Sequence, residues 1–311
     1  MRFDWTLRTL QEWKELLEQA QQANWMQTWA YAQASFKKDW IPTQMAAVSD
    51  DEGVLVAILA LQKIVLGPIK FIRINRGPLW LKKNVNEEDL LQFAQLLRSE
   101  FPKSWLTKIK WLPEFNLSPN GFKSLEEIDF KLAQKNFQTT WLDLSQSELA
   151  LRSNLKQKWR NGLNKFERAG LVIKVENTPG HLSEFLNFYE LYKKQKNFAG
   201  PTREFLGIEL SEAFRQKQAT LVWAMEDGLP IAGIAIHSHG KNISYRAGWN
   251  SSQGKKTCAH YGLLWQAILH FKKLGFQQFD LGGILPLEAQ GLTHFKLGLG
   301  GSQSRSEILE G

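Results

Sequence analysis

Apolar residues recur three or four positions apart at Leu10, Trp13, Leu17 and Ala20, and again at Trp25, Trp29, Ala32 and Phe36. That period predicts two amphipathic helices at the start of the chain. The pattern then changes to strand-like runs at Thr43–Ser49 and Val54–Val65, joined by the acidic turn Asp50-Asp51-Glu52-Gly53. A third run, Ile69–Asn75, leads into Arg76-Gly77-Pro78. A helix over about Asn86–Ser99 and a strand around Trp105–Leu112 follow, and Pro113–Asn136 reads as loop.

A second series begins with a strand at Thr139–Leu144 and the helix start Ser145-Gln146-Ser147-Glu148. Leu151, Leu155, Trp159 and Leu163 form one apolar stripe, predicting one helix. Thr178-Pro179 opens another, with Phe185, Phe188, Leu191 and Tyr192 predicted to face inward. A hairpin over Thr220–Met225 and Pro230–His237 turns at Glu226-Asp227-Gly228, so a strand–acidic turn–strand unit is used twice. Strand Asn242–Trp249, loop Asn250–Thr257, helix His260–Leu274 and strand Phe276–Leu281 then make a crossover, which favours parallel pairing. The prediction is an α/β (α+β) protein of two similar domains, 1–138 and 139–301.

Composition narrows the class. The 311 residues are 43% hydrophobic and 23% charged, enough for two cores without a disordered tract. The longest apolar run, Val54–Leu61, is far short of a spanning helix, and the charged start lacks a signal-peptide core, so a cytoplasmic protein is expected. Cys258 is the single cysteine, which rules out an intrachain disulfide. A net charge of +8 favours an anionic partner such as RNA, a nucleotide or a membrane surface. The 13 tryptophans follow no period and read mostly as core.

Familiar catalytic signatures are missing: no GxSxG, HExxH, phosphate-binding GxxxxGK[ST] or strand-borne GxGxxG occurs. His237 and His239 share a strand face without a third ligand nearby, and Cys258 reads as an unactivated thiol with only His260 close in sequence. Two segments stand out. Between Arg152 and Lys174 lie Arg152, Lys156, Lys158, Arg160, Lys165, Arg168 and Lys174 against one acid, Glu167. Arg152, Lys156 and Arg160 are spaced by four, which predicts a cationic edge on one helix, suited to a polyanion. The other segment is the closing GLTHFKLGLGG, where Gly291, Gly298, Gly300 and Gly301 surround Lys296 and allow tight turns or close approach to a ligand.

These residues resemble a known family. KWRNGLNKFERAG (158–170), QFDLGGI and GLTHFKLGLGG are similar to motifs of the Fem-type (FemABX) aminoacyl transferases that branch peptidoglycan, and Trp25-Met26-Gln27 and Arg76-Gly77-Pro78 fall in the family's order. The resemblance spans nearly the whole chain. It implies two acetyltransferase (GNAT)-like domains, each a mixed sheet flanked by helices, with the tail 302–311 returning to the first. It also implies transfer of an amino acid from aminoacyl-tRNA to an amine on a cell-wall precursor peptide, without a cofactor.

The resemblance assigns a catalytic role to Lys296 and substrate contacts to Tyr245 and Lys196. Asp280, closing the crossover strand where a ligand cleft is expected, is the second catalytic candidate, and the cationic run makes Arg152, Lys156, Lys158, Arg160 and Lys165 the candidates for tRNA or anion binding. The sequence also departs from the family. Apolar Leu79-Trp80-Leu81 follows Gly-Pro where an acid is usual, Ser35 stands for a lysine, Lys196 stands for an arginine, and the helical arm of some members is missing. Two alternatives remain. A coenzyme A-dependent N-acyltransferase of the same fold would need a glycine-rich turn, which SSQGKKTCAH lacks. A non-catalytic RNA-binding protein would keep the basic segment and leave Lys296 without a task. Contact with a membrane surface is a further expected partner interaction.

Overall fold

The computed structural model describes residues 1–6, 8–284 and 289–311. The chain divides into two compact units, Met1–Gln138 with Ser304–Gly311, and Thr139–Gln303.

Unit 1 contains β1 (Arg2–Asp4), α1 (Leu10–Gln19), α2 (Trp29–Asp39), β2 (Thr43–Ser49), β3 (Leu55–Leu66), β4 (Ile69–Asn75), β5 (Leu79–Trp80), α3 (Glu87–Glu100), β6 (Thr107–Leu112) and α4 (Pro119–Glu127). Its helices start where side chains satisfy the first amides. Thr9 with Glu12 and Asn86 with Asp89 form capping boxes, and Ser118 caps α4 ahead of Pro119. The strand order runs β1-β2-β3-β4-β6, with β4 and β6 parallel and the other neighbours antiparallel. The closing strand's Leu309 and Glu310 pair with β6. Ile72, Ile74, Ile109, Trp111, Phe93 and Leu97 fill the core beneath α3. Pro113–Asn136 is not the expected loop: α4 lies within it, because a serine cap followed by proline nucleates a turn whose Leu125 is buried.

Unit 2 begins on β7 (Lys131–Asp143), which enters from unit 1. It continues with α5 (Glu148–Ser153), α6 (Gln157–Arg168), β8 (Val172–Glu176), α7 (Leu182–Lys196), α8 (Arg203–Arg215), β9 (Ala219–Glu226), β10 (Leu229–His239), β11 (Asn242–Asn250), α9 (Ser252–Lys256), α10 (Ala259–Lys273), β12 (Gln278–Asp280) and α11 (Gln290–Leu297). β13 (Ser302–Glu310) leads back to unit 1. Strand order is β7-β12-β11-β10-β9-β8, and the crossover through α10 joins β11 and β12 in parallel as its length required. The turn at Asp227-Gly228 has both residues at positive φ, the geometry of a tight hairpin.

Two expectations about this unit need correction. The stripe from Leu151 to Leu163 belongs to two helices, α5 and α6, broken at Asn154–Lys156. Arg152 and Arg160 therefore do not share one helix edge. Leu191 is exposed, and Leu186 and Tyr189 are buried on α7 with the expected Phe185.

Candidate active site

The basic segment and the closing motif, 136 residues apart, meet in unit 2. Trp159 of α6 donates its Nε1–H to the carbonyl of Phe295 in α11 at 2.9 Å. The backbone N–H of Lys156, the N-cap of α6, donates to Gly298 O at 2.9 Å. The closing glycines make this approach possible. A Cβ on Gly298 would lie 2.6 Å from Trp159 Cδ1, one on Gly300 2.6 Å from Asn154 O, and one on Gly301 2.5 Å from Trp141 O. These three glycines therefore serve packing of the chain on itself rather than approach to a ligand. Gly162 does the same for α6 against Tyr261 of α10. The closing segment is also helical, and Lys296 sits on the last turn of α11.

Lys296 is only 7% exposed. Its Nζ donates to Gly283 O at 2.7 Å and stands 5.8 Å from the centre of the Tyr245 ring. Burial brings its pKa down to about 8, with the charge of Asp280 opposing that fall. Asp280 itself is fully buried at the end of β12. Its Oδ1 accepts from Thr139 Oγ1 at 2.6 Å and from the Gly282 N–H at 2.8 Å. Gly282 has φ +77, and a Cβ there would meet Lys296 Nζ at 3.4 Å. The carboxylate thus shapes the Gly282-Gly283 turn whose carbonyl holds Lys296. Burial raises the Tyr245 phenol well above its ordinary pKa, so it is a neutral donor at physiological pH. An ammonium has three N–H donors, and Gly283 takes one, so this corner can present further donors to a developing oxyanion.

Sequence reading did not foresee how β11 is held. Between Ala235 and Ile236 of β10 the register slips, leaving Arg246 as an extra residue opposite. Arg246 forks onto Glu209 of α8 at 2.7 and 2.6 Å, and His237 Nδ1 lies 3.1 Å from the same carboxylate. Burial would raise Glu209, but the Arg246 charge and hydrogen bonds outweigh it and hold the carboxyl low. His237 is thus part of a buried ion-paired network, His239 Nε2 lies 2.8 Å from Ser244 Oγ, and among the described residues no group of three side chains could hold a metal. The bulge places Tyr245 beside Lys296; no sequence pattern announces it.

The cations of the basic segment divide. Arg152 forks onto Glu167 at 2.7 and 2.8 Å and is spoken for. Lys156, Lys158, Arg160 and Lys165 are exposed, with no acidic partner among the described residues. Three of these four crowd the first turn of α6, the positive end of its dipole, with no acid there to offset them. Lys196 closes α7 and lies against Lys255, whose pKa is lowered by burial and then by Lys196. Lys255 Nζ stands 5.3 Å from the Tyr192 ring.

Several amides of the segment before α10 are engaged internally, although the start of α10 itself carries no side-chain cap. Gly254 N donates to Ser251 Oγ, Lys255 N to Ser251 O, Thr257 N to Gln253 O and Cys258 N to Lys255 O. A Cβ on Gly254 would collide with Asn250 Oδ1 at 2.2 Å, so the glycine faces the protein. His260 bonds Trp249 O at 2.8 Å and is pushed by burial down to about 4, leaving it neutral and unavailable to Cys258. In unit 1, the departures have structural reasons. Ser35 is buried and accepts from Gln62, and Leu79 pairs in register with Ile58. Gln27 bonds Ala60 and Asn75, and Asn24 bonds Arg76 O, so those two motifs brace the strand ends.

Comparison with solved structures gives FemX at TM-score 0.80, covering 99% of this chain and 97% of that one at 14% identity. The chain has the FemX fold. A conserved protein of unknown function from Bacteroides thetaiotaomicron follows at TM-score 0.64 and 14% identity, covering 99% and 98%. A C-terminal domain assigned to a lysylphosphatidylglycerol synthetase of Agrobacterium fabrum aligns at TM-score 0.56 and 14% identity, covering 97% and 92%. Residues 152–297 match the acetyltransferase (GNAT) domain family, a span running from the basic segment to just past Lys296. No curated protein sequence matches the chain significantly. Among the described residues, no helix is long and apolar enough to cross a membrane.

Proposed function

We propose that this protein is an acyl transferase that moves an aminoacyl group from aminoacyl-tRNA to an amine, such as that of a cell-wall precursor peptide. The observation that carries the reading is the direct hydrogen bonding of the α6 start to α11. It sets unpaired cations, suited to a run of phosphates, beside a buried lysine suited to the reacting ester. In that reaction the amine nitrogen attacks the ester carbonyl and the carbonyl oxygen becomes an oxyanion. The C–O bond to the ribose then breaks, and the proton lost by the amine ends on the ribose oxygen. Lys296, protonated below about pH 8, would face the oxyanion with N–H donors left over from Gly283. Tyr245 would line the same corner, Lys196 would contact substrate, and Asp280 would act by positioning the Gly282-Gly283 turn. Two family features of acceptor recognition are replaced by buried Ser35 and Leu79, so the acceptor is expected to differ from a nucleotide-linked muropeptide.

The match of 152–297 to a GNAT domain supports a second reading, with acyl-coenzyme A as donor. Against it stands the α9 turn, where the Gly254, Lys255, Thr257 and Cys258 amides are engaged internally, which leaves a pyrophosphate fewer donors to bind. Calorimetric titration with acyl-coenzyme A and with aminoacyl-tRNA separates the two. Tight tRNA binding that weakens steeply with salt is expected. Micromolar acyl-coenzyme A binding without tRNA binding would overturn the choice of donor.

A further inference from the structure

One end of the unit 1 sheet gathers exposed apolar side chains that the transferase reading does not use. β2 begins at this end, β3 and β4 turn there, and β6 begins there, as the pairings Thr43↔Gln62, Leu66↔Ile69 and Lys70↔Thr107 fix. Trp40 is 79% exposed, Trp105 80%, Leu66 61% and Val65 55%. Phe36 and Phe71 are also exposed, and Phe36 packs its ring on Trp40 at 5.7 Å. Four strands at the ordinary spacing span only about 14 Å, so these groups share one rim. Isolated exposed apolar residues need no explanation, but a contiguous set of large ones marks a surface built to be covered.

We propose that this rim docks on an anionic lipid surface. The charge around the rim selects that occupant. Lys37, Lys70 and Lys108 are exposed among the apolar groups, with no ion pair seen for them among the described residues, and Lys63 lies at the same end. Of the nearby acids, Asp39 pairs with Lys38 at 3.5 Å and Asp129 with Lys103, so exposed Glu100 at the end of α3 is outweighed by the lysines around the rim. Tryptophan with lysine is the pairing suited to a headgroup layer. The indole sits at the boundary of hydrocarbon and water while the ammonium meets lipid phosphate. Trp40 gains from the arrangement, since its left-handed backbone at φ 55 projects it past the end of α2, a conformation that asparagine would adopt more readily. Neither a metal nor a nucleotide would need two indoles so far out of the core. The inference does not depend on the identity of the donor or acceptor.

The test is co-sedimentation of the full chain with vesicles of phosphatidylglycerol and phosphatidylcholine in equal parts, and with phosphatidylcholine alone. Wild type is expected to pellet with the anionic vesicles, to stay in solution with the neutral ones, and to be released by salt. Trp40→Asn with Trp105→Ser should weaken partitioning at least about tenfold. Lys70→Glu with Lys108→Glu should weaken it by about fivefold or more per lysine. All four positions are exposed, so thermal unfolding should be unchanged, and that measurement certifies each variant. No binding by wild type, equal binding to neutral vesicles, or undiminished binding by both variants would overturn the proposal. Self-association that the tryptophan variant abolishes, without vesicle binding, would do so as well.

Discussion

Trp159 donates its indole N–H to the carbonyl of Phe295 at 2.9 Å, one residue before Lys296, and so ties the basic helix to the turn carrying the candidate catalytic lysine. The rings of Trp159 and Phe295 also stack, with centroids 5.7 Å apart. Trp159→Phe keeps the stack and removes the bond. A lost hydrogen bond of this kind costs about 0.5–1.5 kcal/mol. We expect transfer to fall roughly threefold to tenfold, with a small drop in melting temperature. Transfer at the wild-type rate would show that this tie does not position Lys296.

Gly298→Ala tests the close approach from the other side. The new methyl would stand 2.6 Å from Trp159 Cδ1 and 3.1 Å from His294 O, with no room on either side. Overpacking of this kind destabilises by about 1–3 kcal/mol. Denaturant unfolding should show that loss, whereas Gly291→Ala, with open space around it, should be nearly neutral.

Lys296→Met should lower transfer by about 10²–10³-fold, the usual cost of one oxyanion donor. It should not lower stability. The native pKa of about 8 lies below the ordinary lysine value of 10.5, so burial disfavours the charged form. The sign follows: at neutral pH both states are protonated and the folded one carries the penalty. Between about pH 8 and 10.5 the unfolded state holds the extra proton, so stability gains from this group as pH rises through that window. The corresponding difference is of order 3 kcal/mol, offset in the methionine variant by the orphaned Gly283 carbonyl. Transfer by the wild type should decline above about pH 8 as the ammonium is lost. A variant much less stable than wild type, or a rate flat to pH 10, would mean that Lys296 is structural.

The cations of α6 allow a further prediction with two readouts of opposite sign. Lys156 makes no side-chain cap bond, and both it and Arg160 are exposed near the positive end of the helix. Lys156→Glu with Arg160→Glu should weaken tRNA binding and flatten its salt dependence by about 0.9 for each phosphate no longer neutralised. The same change should leave stability unchanged or raise it, by about 0.3–1 kcal/mol per site, because acids suit a helix start. If tRNA binding is unaltered, the phosphates do not lie on this helix.

Much of this was legible in the sequence because local rules decide it. The two acidic hairpins, the helices α1 and α3, and the crossover from β11 through α10 to β12 follow from periodicity, turn residues and connection length. The FemX-type fold was legible from the closing motif, not from composition. The contacts that make a site were not legible. Nothing near Trp159 points to Phe295, nothing near Asp280 points to Thr139, and Glu209 gives no local sign that it holds Arg246 and His237. Those are long-range pairings whose partners are ordinary residues in their own segments. The spacing of four from Arg152 to Arg160 misled for a related reason: it assumed a continuous helix where Asn154–Lys156 turn the chain and Glu167 claims the arginine. The closing glycines were read for ligand approach, yet Trp159, Asn154 and Trp141 fill the space beside them.

The central claim is that Lys296 serves acyl transfer from an aminoacyl-tRNA. The most direct measurement is a single-turnover reaction of purified protein with charged tRNA and a panel of amine acceptors, following the acylated amine. Wild type should form the amide in the presence of a competent acceptor, and Lys296→Met should bind the charged tRNA with similar affinity while forming amide at least about 100-fold more slowly. Amide formation at equal rates by the two proteins, or formation by wild type from acyl-coenzyme A and not from charged tRNA, would contradict the account.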